Sequence, residues 1–181
     1  MENYAYILDY LSQGHMDEKR FHRQPTAYGL GDDQFKLLEL TPREGVSLLT
    51  GDRVYIGKET EMRDKILHVK RRIGYEDLTH AAQSELPFII LEIVHDQEER
   101  FVKFFNTSEA ITTRFHMLEL LPGLGKKSMW AILEERKKNL FQSFHDLEER
   151  SNVRHPDKLI TKRIEMELSD PAQKYRVFVI K

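Results

Sequence analysis

The stretch ELLPGLGKKSMWAIL occupies residues 119–133 and places Pro-Gly-Leu-Gly between two apolar segments. Apolar residues at helical spacing precede it and predict a helix over 111–121. Proline lacks a backbone N–H group and ends that helix. The same spacing returns after the glycines, so we predict a hairpin over 122–125 and a second helix over 126–138. The apolar residues that carry this pattern are Ile111, Phe115, Leu118, Met129, Ile132 and Leu133.

The predicted hairpin combines features that suit an anion. Gly123 and Gly125 allow backbone conformations that are closed to residues with a Cβ atom, and they leave the backbone uncovered. The first N–H groups of the following helix have no partner in the helix and lie at the positive end of its dipole. Such a site binds a phosphate without reading a base, so we expect little sequence preference. The residues of this predicted site are Gly123, Leu124, Gly125, Lys126 and Lys127.

The sequence Pro-Gly-Leu-Gly-Lys-Lys between apolar segments is typical of the helix-hairpin-helix motif, which contacts nucleic-acid backbones. Two alternatives remain open: a plain corner between packed helices, and a motif of this kind that serves protein contacts. A phosphate-binding P-loop fits GLGKKS poorly, because it requires a glycine where Leu120 stands and a strand before the loop.

A degenerate second copy of the motif is predicted at 144–168. FHDLEER (144–150) has the pattern of a short helix, SNVRH (151–155) that of a turn, and 157–168 that of a helix starting after a proline. Asn152 is suited to the left-handed conformation that glycine takes in the first copy. An ordinary pair of helices is the alternative.

Composition limits the class of protein. The chain has 181 residues, 40% of them hydrophobic and 32% charged, which describes a globular protein. It has no cysteine, which excludes thiolate chemistry and is compatible with a reducing cytoplasm. MENYAYILDY predicts no signal peptide. With a net charge of −2, a polyanion site has to be a local patch, such as the KILHVKRR segment at 65–72 or the lysines after the hairpin.

The two halves of the chain differ in hydrophobic period. Short β-branched and aromatic runs separated by turn residues predict a small β-barrel or sandwich over 1–80. Helical periodicity follows over 81–171, a region that includes the hairpin motif at 111–138 and its possible second copy at 144–168. A final strand at 172–181 is predicted to return to the N-terminal sheet. The predicted strands of the first half are 4–11, 35–41, 52–57 and 65–73.

Almost the whole chain resembles the archaeal domain-of-unknown-function 655 family, described as predicted nucleic-acid-binding proteins. The resemblance implies an α+β protein with an N-terminal OB-like β-barrel, a helix-hairpin-helix region and an archaeal source. Because members tend to be encoded near translation and rRNA-modification proteins, it favours RNA over DNA as the ligand, and ribosomal or translation-related proteins as partners. It carries over no catalytic residue. The matching stretches include ILDYL, FKLLEL, KRRI, YEDLT, ERFVKFFN, RFHMLELLPGLGKK, SFHDLEER and KYRVFV.

A barrel of this kind binds single strands by stacking bases on aromatic side chains in a basic groove. Three adjacent cations cannot all point into a core, so Lys70, Arg71 and Arg72 are the predicted binding residues of the barrel face. Tyrosines in strands are more often core residues than stacking platforms. The candidates for stacking are Tyr4, Tyr6, Tyr10, Tyr55 and Tyr75.

The sequence gives little support for a catalytic site or a metal site. The histidines form no HExxH motif, and His116, between apolar residues, is expected to be structural. Lys127 and Asp146 have nearly the spacing of helix-hairpin-helix DNA glycosylases, but the N-terminal strands have no place in that architecture. We expect Asp146 to be a dipole partner at a helix start.

The sequence therefore predicts a cytoplasmic, non-enzymatic, sequence-tolerant nucleic-acid-binding protein with no cofactor, no metal and no membrane contact. A protein-interaction adaptor in a ribosomal or repair assembly is the alternative, and it would present an exposed apolar patch.

Overall fold

The computed structural model describes residues 2–14 and 24–180. The chain divides into two units. Met1–Ile89 and Glu167–Lys181 form the sheet unit, and Ile90–Met166 form the helical unit. Of the histidines considered above, His15 and His22 lie outside the described residues.

A curled five-stranded antiparallel sheet, a half-barrel, dominates the sheet unit. Its strand order is β4-β1-β2-β3-β5, so β4 and β5 are the edges. The four strand predictions of the first half are confirmed to within two residues at each end. Apolar residues of all five strands form one buried core, which includes Ile7, Ala27, Leu40, Val54 and Ile66. The strands are β1 Tyr4–Leu11, β2 Thr26–Gly31, β3 Leu37–Pro42, β4 Arg53–Tyr55 and β5 Ile66–Arg72.

The central strand β2 is the one that the sequence reading missed. Its residues TAYGLG are all buried, although the two glycines of GLGDD, Gly29 and Gly31, are typical of a turn. The glycines are needed for close approach rather than for a turn. A Cβ atom on Gly29 would lie 3.0 Å from Leu40 Cδ1, and one on Gly31 would lie 2.1 Å from Glu2 Cδ. Any side chain at Gly31 would therefore displace Glu2.

The Glu2 side chain organises the turn between β2 and β3. Its Oε1 accepts N–H bonds from Gln34 at 2.9 Å and Lys36 at 3.2 Å, and its Oε2 accepts one from Asp33 at 3.0 Å. Glu2 is buried, so these three bonds replace the water that the carboxylate and the amides lose.

The end of the chain belongs to the sheet unit, but the strand predicted over 172–181 does not form in its described residues, 172–180. Instead the buried Glu167 carboxylate accepts N–H bonds from Val177, Phe178 and Val179 at 2.8, 3.0 and 2.9 Å. The apolar residues at strand spacing predicted that this backbone would pair with a strand of the sheet. The Glu167 side chain accepts its N–H groups instead.

Five helices lie in the described residues: α1 His80–Asp96, α2 Glu98–Thr107, α3 Lys126–Lys138, α4 Phe144–Ser151 and α5 Pro156–Ser169. The apolar segment LPFIILEIV lies within α1. The predicted starts of α3 at Lys126 and α5 at the Pro156–Asp157 pair are confirmed. Within the described residues, no helix has the length and apolarity needed to cross a membrane.

The predicted helix over 111–121 is wrong. Two short strands, β6 Ala110–Thr112 and β7 Phe115–His116, pair there, and a 3-10 turn follows over Met117–Leu120. The β-branched run Ile-Thr-Thr disfavours a helix, and local side-chain bonds replace helical ones. His116 Nδ1 accepts from the Leu118 N–H at 3.0 Å, and the Glu119 carboxylate accepts from the His116 N–H at 2.7 Å.

We expect Gly31→Ala to lower the free energy of unfolding by about 1–3 kcal/mol, because the added methyl group displaces the buried Glu2 carboxylate from the three partly buried amides that it accepts from. Urea unfolding checks this. Glu2→Ala should cost a similar amount, and Gly31→Ala should add little in that background, since both changes remove the same bonds. Full additivity of the two costs would contradict the assignment.

Candidate nucleic-acid interface

The hairpin before α3 joins a tight turn to an uncovered helix start. Gly123 has a φ of +90°, which an L side chain rarely adopts, so the sequence prediction for this glycine is confirmed. Gly125 has a φ of −75° and open space around its Cα, so any residue would fit there, and the prediction that it needs glycine's conformational freedom is wrong. Its contribution is the absence of a side chain at the N-cap of α3.

The hairpin is fixed from within the helical unit. Leu121 is buried, and the Leu124 N–H bonds back to the Leu121 carbonyl at 3.2 Å. The buried Arg163 donates to the Leu120 carbonyl at 3.2 Å. These bonds hold the backbone on the N-terminal side of the glycines, while Gly123 and Gly125 themselves stay exposed.

The N-terminal end of α3 carries uncompensated positive charge. Gly125 offers no side-chain acceptor, and no acidic residue lies in the first turn. Lys126 and Lys127 are exposed, and in the described part of the chain no ion pair joins either to an acidic side chain. Cations at this end oppose the helix dipole, at a typical cost of about 0.3–1 kcal/mol each. An anion at this position would reverse that cost.

The other described helices begin differently. Thr79 Oγ1 accepts from the Ala82 N–H in α1, α2 has Glu98 in its first turn, and Ser143 Oγ accepts from the Asp146 N–H in α4. Asp157 lies in the first turn of α5. Among the helices described, α3 alone begins without a capping side chain or an acid.

The C-terminal end of α3 is held by Arg150 of α4. Its Nη2 donates to the carbonyls of Glu135 and Asn139 at 2.8 and 2.7 Å, and its Nη1 pairs with Asp146 at 3.0 Å. Its guanidinium also lies 4.6 Å from the centroid of the Phe141 ring. Arg150 thus gives the Asn139 carbonyl a donor that the helix end does not supply, and it adds a second donor to the Glu135 carbonyl, which also accepts from the Asn139 N–H at 3.3 Å.

The turn between α4 and α5 has the predicted left-handed residue, since Asn152 has a φ of 56°. It differs from the first hairpin in charge. The Asp157 carboxylate lies at the start of α5, 2.8 Å from His95 Nε2, and the His155 N–H bonds to the Glu148 carboxylate. Acidic side chains occupy the positions where a phosphate would bind in a second copy.

Asp146 has the structural role that the sequence predicted. It lies in the first turn of α4, and its carboxylate accepts from the Gln142 N–H at 3.0 Å. That bond, together with the Arg150 guanidinium, outweighs partial desolvation and lowers the pKa of the carboxyl below its usual value.

The predicted barrel-face cations project outward around one buried carboxylate. Lys70 and Arg71 contact Glu39 at 2.7 and 2.6 Å, and each keeps 55% of its side chain exposed, against 5% for Glu39. The β3–β5 register shifts between Glu39 and Leu40, so a bulge places two neighbouring residues of β5 on one residue of β3. Two cations share one acid, which leaves one net positive charge.

Arg72 is exposed, and its Nη2 donates to the Ile180 carbonyl at 2.7 Å.

The tyrosines predicted as stacking candidates mostly have internal partners. Tyr6 is buried, the Tyr10 hydroxyl donates to the Val46 carbonyl at 3.0 Å, and Tyr55 bonds to Glu59. The Tyr4 ring packs edge-on to Tyr55 at 5.2 Å between centroids and lies under the Arg53 guanidinium.

Two residues near the hairpin were missed by the sequence reading, Arg114 and Trp130. Both line a groove between the β6–β7 hairpin and α3, which Lys126 also lines. Trp130 could have been singled out as a candidate binding residue from the sequence. It is the chain's one tryptophan, and it lies beside the apolar stripe of α3 rather than in it. Arg114 carried no such signal, because the segment around it was interpreted as a helix.

His116 is structural, as predicted. Burial, and after it the charge of Arg136, lower the pKa of the imidazole below its usual value. Since Nδ1 accepts from the Leu118 N–H, the neutral ring carries its proton on Nε2. Among residues 2–14 and 24–180, no three His, Asp or Glu side chains are grouped so that they would hold a metal ion.

The Glu39 cluster makes stability depend on pH. Burial alone raises the pKa of the Glu39 carboxyl, but the bonds from Lys70 and Arg71 outweigh it and hold that pKa below its ordinary value. The cluster therefore stabilises the fold above the carboxyl's unfolded pKa of about 4.3, and the contribution is lost as pH falls through the lowered folded pKa. We expect Glu39→Gln to cost about 1–3 kcal/mol at pH 7.

Urea unfolding between pH 7 and pH 2.5 checks this expectation, because the difference between Glu39→Gln and wild type should shrink at the acidic end. Glu44→Gln, a change at an exposed carboxylate, is the matched control and should have little effect at either end. A difference that stays constant with pH would contradict the assignment.

Comparison with known proteins gives consistent matches over the full length. The family model of the protein of unknown function DUF655 matches residues 1–180. The uncharacterized protein MJ0038 of Methanocaldococcus jannaschii is 51% identical over 179 residues, which are 98% of this chain and 80% of that protein. The crystal structure of Af1531 from Archaeoglobus fulgidus, of the same family, superposes with a TM-score of 0.90 at 49% identity and covers 99% of this chain and 100% of that one. This chain therefore belongs to the DUF655 family.

Proposed function

We propose that this protein binds nucleic acid, RNA in preference to DNA, by holding backbone phosphates at the hairpin before α3. The observation that carries the proposal is the start of α3, which has a side-chain-free N-cap, an open approach and two exposed lysines without acidic partners. The contacting residues are Gly123, Leu124, Gly125, Lys126 and Lys127.

The geometry suits a phosphate better than a base. The N–H groups of the first turn of α3 donate to phosphate oxygens, and the lysine ammonium groups approach as mobile point charges. None of these groups distinguishes one base from another, so binding tolerates sequence changes. The preference for RNA follows the family resemblance rather than any contact at this hairpin.

The sheet unit contributes a second, weaker surface. We interpret its curled sheet as an OB-like barrel and the hairpin with α3 as a helix-hairpin-helix element whose first helix is reduced to a 3-10 turn. Lys70, Arg71 and Arg72 keep exposed side chains on this unit, and Glu39 neutralises one of the three charges. We propose that this face adds backbone contacts, and that the protein acts in the cytoplasm without a chemical step.

A protein-interaction adaptor is the second candidate. Exposed apolar side chains on the sheet unit favour it: Leu49, Met62 and Leu67 are 69%, 59% and 48% exposed. In that case the hairpin would contact a partner protein, such as a ribosomal or translation-related one, and nucleic acid would not bind.

The salt dependence of binding tests the phosphate contacts. Labelled single-stranded RNA, duplex RNA and duplex DNA are titrated at several salt concentrations with wild type and with Lys126→Ala/Lys127→Ala. We expect log K to fall with log salt by about 0.7 per contacted phosphate on single strands and about 0.9 on B-DNA. The double substitution should flatten the slope by about one to two units.

Lys137→Ala/Lys138→Ala is the matched control, since it removes the same charge from the other end of α3, where both lysines pair with glutamates at 2.8 and 2.6 Å. Equal flattening by both double variants would mean that net charge, and not the hairpin, governs binding. Failure of every nucleic acid to bind at low salt would favour the adaptor.

Gly125→Asp should move stability and affinity in opposite directions. Its carboxylate would cap α3 and raise the free energy of unfolding by about 0.5–1.5 kcal/mol. The same carboxylate would take the phosphate position and weaken nucleic-acid binding by about tenfold or more. Gly125→Asn caps without charge and separates the two effects. Unchanged affinity in a stabilised Gly125→Asp protein would show that phosphate does not bind there.

A further inference from the structure

A groove of about 160 Å³ lies beside the hairpin within the helical unit, between β6–β7 and the first half of α3. It is smaller than the roughly 300–1,000 Å³ of sites for drug-sized ligands, so it has room for one ring-sized group. Lys126 lines the groove and also belongs to the proposed phosphate site, which makes the two continuous.

An indole forms the exposed wall of this groove. Trp130 lines it and is 57% exposed, although tryptophan is costly to leave in water. Met129, which is buried, and Leu133, which is partly buried, add apolar surface from the same helix. A flat aromatic face beside apolar side chains suits a flat aromatic ligand.

The charge of the groove suits an anionic strand. Arg114 is exposed, and Lys126 has no acidic partner in the described part of the chain. The one acid that lines the groove, Glu119, already accepts the His116 N–H at 2.7 Å. Arg114 and Lys126 outnumber Glu119, so the lining keeps a net positive charge without a contribution from His116, whose pKa burial lowers.

We propose that this groove binds an unpaired base of single-stranded RNA, stacked on Trp130, while the neighbouring phosphate lies at the start of α3. The inference rests on the proposed function and specifies its substrate. A base in a duplex is stacked on both faces and has no access to the indole, so a single strand is required. RNA is the choice because Thr113 and His116 line the groove, and a hydroxyl and an imidazole are side-chain groups able to bond to a 2′-hydroxyl, which DNA lacks.

Because Trp130 is the chain's single tryptophan, tryptophan fluorescence reports on this groove alone. Tryptophan fluorescence is followed while wild-type protein is titrated with a ten-nucleotide oligouridine, the matching single-stranded DNA and a ten-base-pair RNA duplex. We expect strong quenching by the single-stranded RNA, weaker quenching by the single-stranded DNA and none by the duplex. Trp130→Ala should weaken binding of single-stranded RNA by about 5- to 150-fold and leave duplex binding unchanged.

Two further variants keep the test specific. Trp130→Phe retains a smaller aromatic face and should recover much of the affinity that Trp130→Ala loses. Phe88→Ala removes a ring that is 68% exposed and does not line the groove, so it should leave affinity unchanged. Anisotropy of labelled RNA measures binding in the variants without tryptophan.

The possible failures are distinguishable. If Lys126→Ala/Lys127→Ala flattens the salt slope but no strand quenches Trp130 and Trp130→Ala binds normally, the phosphate site stands and the base site is overturned. If single-stranded DNA quenches and binds as RNA does, the choice of RNA is overturned. If no nucleic acid binds at low salt, the proposed function fails, and the base site fails with it.

Discussion

Side chains bond to the backbone at the C-terminal end of α3, whereas no side chain caps its N-terminal end. The candidate site depends on that difference. At the C-terminal end, Arg150 donates to the carbonyls of Glu135 and Asn139 and pairs with Asp146. Arg136, in the last turn, also donates to the Phe105 carbonyl of α2 at 2.9 Å. The helix is thereby held at the end remote from the hairpin. At its N-terminal end no side chain caps the backbone donors, which is the arrangement that the proposed phosphate site requires.

Elsewhere the protein satisfies its backbone donors with its own carboxylates. Glu2 accepts three N–H groups at the turn after β2, and Glu167 accepts three from the C-terminal segment. A third buried carboxylate, Glu39, accepts instead from the side chains of two cations of β5. Against this pattern, a helix start with Gly125 as N-cap and two lysines, but no acid, is an exception among the described helices. A phosphate at that point would do what glutamate does at the other sites.

The sequence predicted elements best where local pattern and tertiary environment agree. Four strands of the half-barrel and the helices after residue 80 follow hydrophobic periods of two and 3.6 residues. It failed at β2, because glycines that serve close approach to Glu2 and Leu40 look like turn glycines. It also failed at 111–121, where helical spacing of three apolar residues coincided with a β-branched run that pairs as strands. In both places the deciding contacts come from side chains outside the pattern.

The sequence by itself determined the composition of the candidate site. Pro-Gly-Leu-Gly-Lys-Lys specifies a turn, a positive φ at Gly123 and a helix start with positive charge, because these depend on steric and dipolar effects within a few residues. Only the tertiary structure decided which cations remain available and what lies next to the hairpin. Lys70 and Arg71 are tied to Glu39 by a bulge between strands distant in sequence, and Arg114 and Trp130 meet at one groove through the fold of β6–β7 beside α3. Adjacent residues set the turn and the charge of the helix start. Which cations are neutralised, and whether a groove forms, depends on which distant residues the fold brings together.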